Sequence, residues 1–542
     1  MSSTNLGNRR QYGRQLAARL GLVGGLLLSL PMYGSQPPVI PWTSAVSFGG
    51  TGIDLGDAIK VDREGNRYVT GAFSATAHFP TQALADPHSG GLASRAASGA
   101  NSLISAGDTD AFLAKYDESG NLKWLLRAGG SGEDHGIDLA VDGTGNIYVT
   151  GVFTSDATFQ GINGTSRSVI GTPNTIFLAK YSAAGELAWV QTGTASFGTN
   201  QGYGVAVDPA TGSVYITGIS QGDTTFSSSN GSYHSVPGPF TWHMVLAKFD
   251  TSGDFQWGQS NQASPNSVAR RVAVDLDSNV YVTGWMEATT TFHSNDGHDQ
   301  TVEGFSEPVQ SGPDYPGDGF LVKYDENGNL KWVNHVGGYK AIPVDIASSR
   351  HGKISITGFI GNVSGSTQQA QTIVTSQPGG RNISLGGGTL TSPFNRDAFF
   401  ATYDAGGVLL EARRFGGALD EGGTGIAYDR HGNLALAGLF KGTLQIGGQT
   451  LIGKTALNLF VATFAQAQQV CTPTPNSSRL AWVHTAGGIY VPSYETGPRI
   501  GLTAYGDAVV TGEYQSTAQF GNSITLHTAG LTDGFMALLE AP

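Results

Sequence analysis

Internal repetition is the feature of this sequence that most constrains its fold. A phrase of the form Tyr-Val-Thr-Gly recurs seven times, at Tyr68–Gly71, Tyr148–Gly151 and Tyr281–Gly284, with variants at Tyr215–Gly218, Ser355–Gly358, Leu434–Gly438 and Ala508–Gly512. The threonines of successive copies, or the aligned Ala437, are separated by 80, 67, 66, 74, 80 and 74 residues. Such a period leaves room for four β-strands in each copy. The 542 residues therefore predict one repeat array instead of several unrelated domains.

Each copy contains four short runs in which apolar and polar residues alternate, as expected of half-buried β-strands. In one copy these runs cover residues 111–116, 122–128, 136–142 and 146–153. Between two of them lies Asp142-Gly-Thr-Gly145-Asn146, which is typical of a tight hairpin. We interpret the aspartate and the second glycine as serving the turn itself, because an EF-hand calcium loop would need a sixth-position glycine and a later glutamate.

Composition and charge exclude several classes of protein. The chain has 79 glycines and is 39% hydrophobic but only 13% charged, which favours short strands joined by glycine-rich turns over disorder. Its formal net charge of −12 argues against binding to nucleic acid or to an anionic membrane, since both require a cluster of basic residues. Cys471 is the only cysteine, so an intrachain disulfide is impossible.

The two ends of the repeat array complement each other. The last copy runs through Asp533–Leu539, its third strand, and then stops, whereas Trp42–Gly50 resembles the fourth-strand segment Trp124–Gly130. We expect the N-terminal strand to complete the last copy, because closure removes exposed sheet edges. The predicted fold is all-β: a single seven-bladed β-propeller of four-stranded antiparallel blades, occupying residues 35–542.

Residues 1–34 are predicted to be an export signal peptide. Arg9, Arg10, Arg14 and Arg19 precede an apolar run from Leu20 to Leu30, which is too short to span a bilayer comfortably. The paired arginines fit either an ordinary positively charged start or a twin-arginine address, and both routes stay open. We expect the mature protein to be extracellular, at the cell surface or periplasmic, with no membrane span.

The segment Gly129–Gly151, Gly-Gly-Ser-Gly-Glu-Asp-His-Gly-Ile-Asp-Leu-Ala-Val-Asp-Gly-Thr-Gly-Asn-Ile-Tyr-Val-Thr-Gly, resembles the bacterial SBBP β-propeller repeat. Similar phrases begin at Gly49 and Gly416, and looser ones at Gly193 and Gly337. The resemblance implies a secreted or surface-attached bacterial protein with a binding or scaffolding role. It brings no catalytic residues to carry over, and this chain lacks the Gly-Gly-x-x-x-Asp loop in copies three, four and seven.

Long, variable connections mark one face of the predicted propeller as the binding face. The tight hairpins within each blade share one face, so the connections between second and third strands emerge on the other. Rigid scaffolds usually carry binding residues on such loops. The candidate ligand-binding residues at this channel mouth are Asp54, Asp134, His135, Asp420, Glu421, Trp242 and Trp285.

Each candidate group has two interpretations. Asp54, Asp134 and Asp420 hold equivalent places and either collect a cation or polar ligand or order their loops by accepting backbone hydrogen bonds. Trp242 and Trp285 lie outside the repeated tryptophan position and either stack on a sugar ring or pack against a neighbouring loop. Acidic and histidine side chains also crowd residues 293–299, but a loop offers no rigid support for a metal, and no metal ligand is assigned.

We expect an exported, non-enzymatic interaction scaffold that is monomeric and binds a protein or glycan, without a cofactor, although calcium is possible. The sequence shows no nucleophile with a base and no non-repeated acid–base pair. Two alternatives stay open: a cell-surface structural or adhesive protein, possibly organised by calcium, and a propeller enzyme acting on glycans.

Overall fold

The computed structural model describes residues 41–81, 101–263, 266–304, 317–338, 341–361, 370–374, 389–392, 395–466, 478–490 and 497–541. Pro37–Pro542 forms one compact unit. The predicted signal segment and Cys471 lie outside the described residues. In the described part of the chain, no helix is long and apolar enough to cross a membrane.

Nearly all regular structure is β-strand. The N-terminal third contains β1 (Trp42–Gly50), β2 (Asp54–Val61), β3 (Arg67–Phe73), β4 (Thr76–His78), β5 (Ser102–Ile104), β6 (Asp110–Tyr116), β7 (Leu122–Gly130), β8 (Asp134–Val141), β9 (Ile147–Phe153), β10 (Ala157–Gln160), β11 (Ser166–Val169), β12 (Thr175–Tyr181) and β13 (Leu187–Val207). A short 3₁₀ turn, Ile162–Gly164, precedes β11.

The middle third contains β14 (Val214–Ser227), β15 (Tyr233–Val236), β16 (His243–Phe249), β17 (Phe255–Ala263), β18 (Ser267–Val274), β19 (Val280–Met286), β20 (Thr290–Phe292), β21 (Gln300–Val302), β22 (Asp318–Tyr324), β23 (Leu330–Gly338), β24 (Ala341–Ser348), β25 (Ile354–Ile360) and β26 (Ala370–Val374). The last third contains β27 (Thr389–Ser392), β28 (Asp397–Tyr403), β29 (Leu409–Phe415), β30 (Glu421–Tyr428), β31 (Leu434–Phe440), β32 (Thr443–Ile446), β33 (Gln449–Ile452), β34 (Asn458–Ala465), β35 (Arg479–Tyr490), β36 (Arg499–Leu502), β37 (Ala508–Phe520), β38 (Ile524–His527) and β39 (Asp533–Leu539).

One pairing order repeats along the chain: four strands, each antiparallel to the next. The repeated units are β2–β3–β6–β7, β8–β9–β12–β13, β13–β14–β16–β17, β18–β19–β22–β23, β24–β25–β28–β29, β30–β31–β34–β35 and β36–β37–β39–β1. Hydrogen bonding groups the described strands into six sheets, of 11, 10, 6, 6, 4 and 2 strands. The hydrogen-bonded sheets do not correspond one to one with the four-strand units, because a long strand such as β13 pairs with strands of two successive units.

The first strands of successive units contact one another in a closed cycle. β2 contacts β8, and the contacts continue through β13, β18, β24, β30 and β36, which in turn contacts β2. A ring of first strands, each followed outward by three antiparallel partners, is the arrangement of a β-propeller. The protein is therefore an all-β repeat protein of the propeller type.

The recurring Tyr-Val-Thr-Gly phrase lies in the second strand of each unit, where each of its residues has a packing or hydrogen-bonding role. The Tyr68 hydroxyl donates to Asp62 Oδ2 at 2.9 Å, and Thr70 Oγ1 donates to the Phe112 carbonyl at 2.6 Å. A Cβ on Gly71 would lie 2.0 Å from the Leu55 carbonyl oxygen. The phrase thus joins the second strand to the hairpin, to the third strand and to the first.

The predicted hairpin chemistry is confirmed at Asp142. Its Oδ1 accepts the backbone N–H groups of Thr144 and Asn146, both at 2.9 Å. Gly145 has φ = 84°, a left-handed conformation that glycine adopts without a Cβ clash. The aspartate and glycine therefore close the turn, as the sequence pattern indicates.

The predicted pairing of the N-terminal strand with the last strand is confirmed. β1 runs antiparallel to β39, with Ala45 opposite Ala537 and Phe48 opposite Gly534. The proposed match of Trp42 with Trp124 is wrong by two residues. Trp124 lies opposite Lys115 of its third strand, and the residue of β1 in the equivalent place, opposite Leu538, is Ser44. Six residues lie between Trp42 and the following Gly-Gly pair, whereas four lie between Trp124 and its Gly-Gly pair.

The tryptophan repeated in the fourth strands links neighbouring units, as expected for a packing residue. Trp332 Nε1 and Lys323 Nζ both donate to the Ala405 carbonyl of the next unit, at 3.3 and 2.8 Å. The same two-donor contact recurs at Trp124 with Lys115, Trp189 with Lys180, and Trp257 with Lys248. A residue at this place is therefore fixed by contacts between units.

A chain of buried charges ties the first strands together around the centre. Asp138 Oδ2 accepts the Val205 N–H at 3.0 Å, and Arg271 donates to the Tyr203 carbonyl. Both side chains therefore bind to the backbone of β13, the first strand of the third unit. The arrangement recurs where Asp345 accepts the Ile426 N–H at 2.9 Å and Arg499 donates to the Thr424 carbonyl. Arg271 Nε also lies 3.9 Å from the carboxylates of both Asp138 and Asp345.

A β-bulge precedes these positions in the first strands. The register shifts between Gly136 and Asp138, between Ala269 and Arg271, and between Pro343 and Asp345. A bulge re-aims the side chains that follow it. The ionic chain thus depends on a backbone irregularity that interrupts the regular alternation of the strand.

Candidate functional site

The predicted carboxylates at the crossing loops share one local geometry. Asp54 accepts the Gly50 N–H at 2.8 Å, Asp134 accepts the Gly130 N–H at 2.7 Å, and Glu421 accepts the Gly417 N–H at 2.9 Å. The three side chains are almost completely buried. Their shared contact is the loop-ordering one that the sequence allows, in which a carboxylate satisfies the backbone four residues before it.

Asp420 is not the equivalent of Asp54 and Asp134. The carboxylate four residues after the loop glycine Gly417 is that of Glu421, and Asp420 Oδ2 instead lies 3.2 Å from Lys441 Nζ. The expectation that placed Asp420 in this set is therefore wrong by one residue. A glutamate, which is one methylene longer, holds the shared position in this unit.

Each loop carboxylate has a second carboxylate beside it, from the start of a third strand. Burial and the neighbouring Asp533 together raise the pKa of Asp54 to about 7, against the lowering effect of the Gly50 hydrogen bond. Burial raises the pKa of Asp134 to about 6, with Asp110 as its acidic neighbour. Burial and the neighbouring Asp397 together raise the pKa of Glu421 to about 8, against the Gly417 hydrogen bond. These pairs lie where consecutive units meet.

The same geometry explains the Gly-Gly part of the loop motif. A Cβ on Gly129 would lie 2.6 Å from Asp110 Oδ1 and 2.7 Å from Asp134 Oδ2. A Cβ on the next residue, Gly130, would lie 1.8 Å from the Asp156 carbonyl oxygen. The first glycine makes room for the carboxylate pair, and the second lets two backbone segments approach.

The described residues contain no group of three or more His, Cys, Asp or Glu side chains arranged to hold a metal ion. The carboxylate pairs supply only part of the six to eight oxygens that Ca²⁺ takes. The acidic loop at residues 293–299 forms local pairs instead: His293 Nδ1 lies 2.7 Å from Asp299 Oδ2, and His298 Nδ1 lies 3.2 Å from Asp296 Oδ1.

The remaining candidate residues separate into buried and partly accessible ones. Trp285 is 1% exposed and packs in the core, so it does not offer its ring to a ligand from solvent. His135 is half-buried on β8, with Nε2 3.4 Å from Thr109 Oγ1. Trp242 is half-buried, and its backbone N–H donates to Asn266 Oδ1 at 3.1 Å.

Next to Trp242, two phenylalanines form an accessible aromatic surface that the sequence interpretation missed. Phe197 is 57% exposed and Phe240 is 73% exposed. Their ring centroids lie 6.0 Å apart at 89°, an edge-to-face contact. Phe197 belongs to the crossing segment of β13, and Phe240 to the connection between β14 and β16, so the pair lies on the predicted binding face.

The side chain of Gln221 braces this aromatic pair. Its Oε1 accepts the Thr199 N–H at 2.8 Å, and its Nε2 donates to the Phe240 carbonyl at 3.3 Å. The Gly222 N–H also donates to the Pro239 carbonyl at 2.6 Å. The backbone of both loops is therefore hydrogen-bonded to β14. These bonds fix the segments that carry the two exposed rings.

No family model matches the chain. The chain is 24% identical over 470 residues to an uncharacterized WD repeat-containing protein of Acanthamoeba polyphaga mimivirus. The match covers 78% of this chain and 32% of the viral protein, so the chain spans about a third of that relative's length.

Solved structures give weaker similarity. The Dos1 propeller aligns with 58% of this chain and 92% of its own length, at 9% identity and a TM-score of 0.24. The extracellular domain of a putative one component system from B. thetaiotaomicron aligns with 91% of this chain and 82% of its own length, at 9% identity and a TM-score of 0.15. Neither score supports an argument from overall superposition.

Proposed function

We propose that this chain is an exported, seven-bladed β-propeller that acts as a non-enzymatic interaction scaffold and binds a protein partner through the Phe197–Phe240 pair. The observation that most directly supports this proposal is the contact between two exposed aromatic rings on a face built of long loops. The side chain of Gln221 forms hydrogen bonds to both of these loops. We also propose that the protein is a monomer and that its repeats are of the SBBP type.

Three observations support the architectural part of the proposal. The four-strand order recurs once for each copy of the sequence phrase, the first strands contact one another in a closed cycle, and β1 pairs with β39. Seven blades are compatible with six hydrogen-bonded sheets, because β13 and the β35–β37 pairing connect strands of neighbouring units. The WD repeat in the viral relative's name is also a propeller repeat.

Export is proposed from the sequence. The arginines of residues 9–19 precede a short apolar run, as in a secretory signal peptide. The extracellular space, the cell surface and the periplasm are the matching locations.

Aromatic side chains suit a protein partner for a physical reason. Residues that dominate binding energy at interfaces are often rigid aromatics, which bury a large area at little cost in conformational entropy. Loops already fixed by hydrogen bonds reduce the cost of ordering on binding. We expect the pair to insert into an apolar pocket of the partner, with the surrounding polar loops as a rim.

The test is binding of the purified chain to peptide and glycan arrays, with and without calcium. We expect selective peptide binding that Phe197→Ala with Phe240→Ala abolishes. The matched control is Leu276→Ala with Tyr505→Ala, which removes two similarly exposed side chains from the tight hairpins β18–β19 and β36–β37 on the opposite face. Binding that survives the phenylalanine variant, or that both double variants weaken equally, contradicts the proposal.

The measurements with calcium distinguish the proposed scaffold from the alternative of a calcium-organised adhesive protein. If calcium raises the melting temperature and Asp54→Ala, Asp134→Ala and Glu421→Ala each abolish that shift, the carboxylate pairs are ion sites. Selective glycan binding instead of peptide binding would overturn the proposed partner class.

A further inference from the structure

A second candidate site lies on the opposite face, where the tight hairpins of several units meet. A cavity of about 590 Å³ opens between the hairpins that join β2 to β3, β8 to β9, β24 to β25, β30 to β31 and β36 to β37. This volume falls within the range of small-molecule sites, about 300–1,000 Å³. The sequence interpretation assigned the tight hairpins to this face and placed the candidate binding residues on the other.

Three arginines from three separate units line the cavity: Arg63, Arg350 and Arg430. Each is the second residue of its hairpin, and each hairpin is closed by the same backbone bond: from Gly65 to Asp62 at 3.2 Å, from Gly352 to Ser349 at 3.1 Å, and from Gly432 to Asp429 at 3.1 Å. Equivalent turns therefore direct three cations to one opening. All three side chains belong to exposed residues.

Two of the arginines are partly fixed. Arg350 Nη1 donates to the Arg430 carbonyl at 3.2 Å. The Arg430 guanidinium lies 5.7 Å from the centroid of the Tyr505 ring, within cation–π range, and its Nε lies 3.0 Å from His431 Nε2. Contacts of this kind reduce the conformational freedom that a ligand would otherwise have to remove.

The aspartates around the cavity are engaged in their own turns. Asp62 accepts the N–H groups of Glu64 and Asn66, the Asn66 amide and the Tyr68 hydroxyl. Burial works to raise the pKa of Asp142, but hydrogen bonds from Asn146 and Thr144 outweigh it, and the pKa falls. Asp429 accepts the His431 and Asn433 N–H groups. Glu64 contributes one exposed carboxylate.

We infer that this arginine mouth, formed by Arg63, Arg350 and Arg430, binds a small multivalent anion that carries carboxylate, phosphate or sulfate groups. Guanidinium groups bind such oxygens with paired, charge-assisted hydrogen bonds. The site is separate from the aromatic pair, so either proposal can fail without the other.

The experiment is isothermal titration calorimetry of the purified chain with citrate and, separately, with inorganic phosphate, at constant ionic strength. We expect one anion per chain. Replacing Arg63, Arg350 and Arg430 together by alanine should weaken binding more than about tenfold, which corresponds to about 1.4 kcal/mol, because the anion loses its charge-assisted hydrogen bonds.

The matched control replaces three exposed cations elsewhere, Lys123, Lys331 and Arg167, by alanine and changes the net charge equally. We expect it to change affinity by less than about twofold, because salt screens charges beyond about 10 Å. A second variant, Ala504→Glu, adds a carboxylate to the cavity lining and should weaken binding while the arginines are intact. The inference is overturned if neither anion binds, if both triple variants weaken binding equally, or if Ala504→Glu binds as the wild type does.

Discussion

Arg271 is the residue whose removal most directly tests the ionic chain at the centre of the protein. Its side chain is 7% exposed and lies 3.9 Å from both Asp138 and Asp345, while it also donates to the Tyr203 carbonyl. Arg271→Met keeps a long apolar side chain but removes one of the two guanidinium groups that interact with the largely buried carboxylates of Asp138 and Asp345, the other being that of Arg499. Breaking a buried ion pair by removing one partner costs about 3–5 kcal/mol, so we expect a loss of this size in the free energy of unfolding at pH 7.

Urea unfolding at pH 7 measures this effect. The variant removes a positive charge from beside two carboxylates that are largely buried, so the loss should be relieved when those carboxylates are replaced by neutral amides. Combining Arg271→Met with Asp138→Asn and Asp345→Asn should recover part of the loss at pH 7.

The control is Arg167→Met, a change to an exposed residue of β11, for which we expect a change within about 0.5 kcal/mol. A variant Arg271→Met that unfolds at the wild-type urea concentration would refute the reasoning. So would a triple variant, Arg271→Met with Asp138→Asn and Asp345→Asn, that is no more stable than Arg271→Met alone, because the loss would then come from packing alone.

Three further predictions concern the closure, the contacts between units and the buried carboxylates. Deletion of Pro41–Gly50 should abolish cooperative thermal unfolding, because β39 loses its partner β1; an unchanged melting curve would contradict the closure. Trp332→Phe should cost about 1 kcal/mol in urea unfolding, the typical value of one hydrogen bond, here to Ala405; no change would mean that Lys323 satisfies that carbonyl alone. Because burial raises the pKa of Glu421 to about 8, the wild type should lose stability as the pH rises from about 4.5 to 8. Glu421→Gln should reduce that dependence in melting experiments, and a profile equal to that of the wild type would contradict the assignment.

Much of the fold was predictable because its signals are local. Alternation identifies strands, and the Asp-x-x-Gly-Asn pattern identifies turns whose hydrogen bonds are confirmed at Asp142 and Gly145. The pairing of β1 with β39 was also predictable, since a missing strand at one end matched a surplus strand at the other. The register of that pairing was not, because a shift between Trp42 and Ser44 changes which side chain faces the neighbouring unit.

The candidate site was predicted less well. Glycine spacing located the loop carboxylates but misassigned Asp420, since only the backbone bond from Gly417 identifies Glu421 as the equivalent residue. Trp285 differed from the repeated tryptophans, yet its burial could not be derived from its position in the repeat. The phenylalanine pair gave no sequence signal, because Phe197 and Phe240 are 43 residues apart and belong to different connections.

The sequence by itself determined the strands, the tight turns, the repeated contacts between units and the strand that completes the last unit. These features depend on residues close together in the chain or on a pattern repeated in each copy. Only the tertiary structure decided which distant side chains meet, as Arg271 does with Asp138 and Asp345 and Phe197 with Phe240, and which arginines line one cavity. The physical reason is that cyclic packing brings the first strands and their turns together at the centre, while bulges redirect side chains away from the regular alternation.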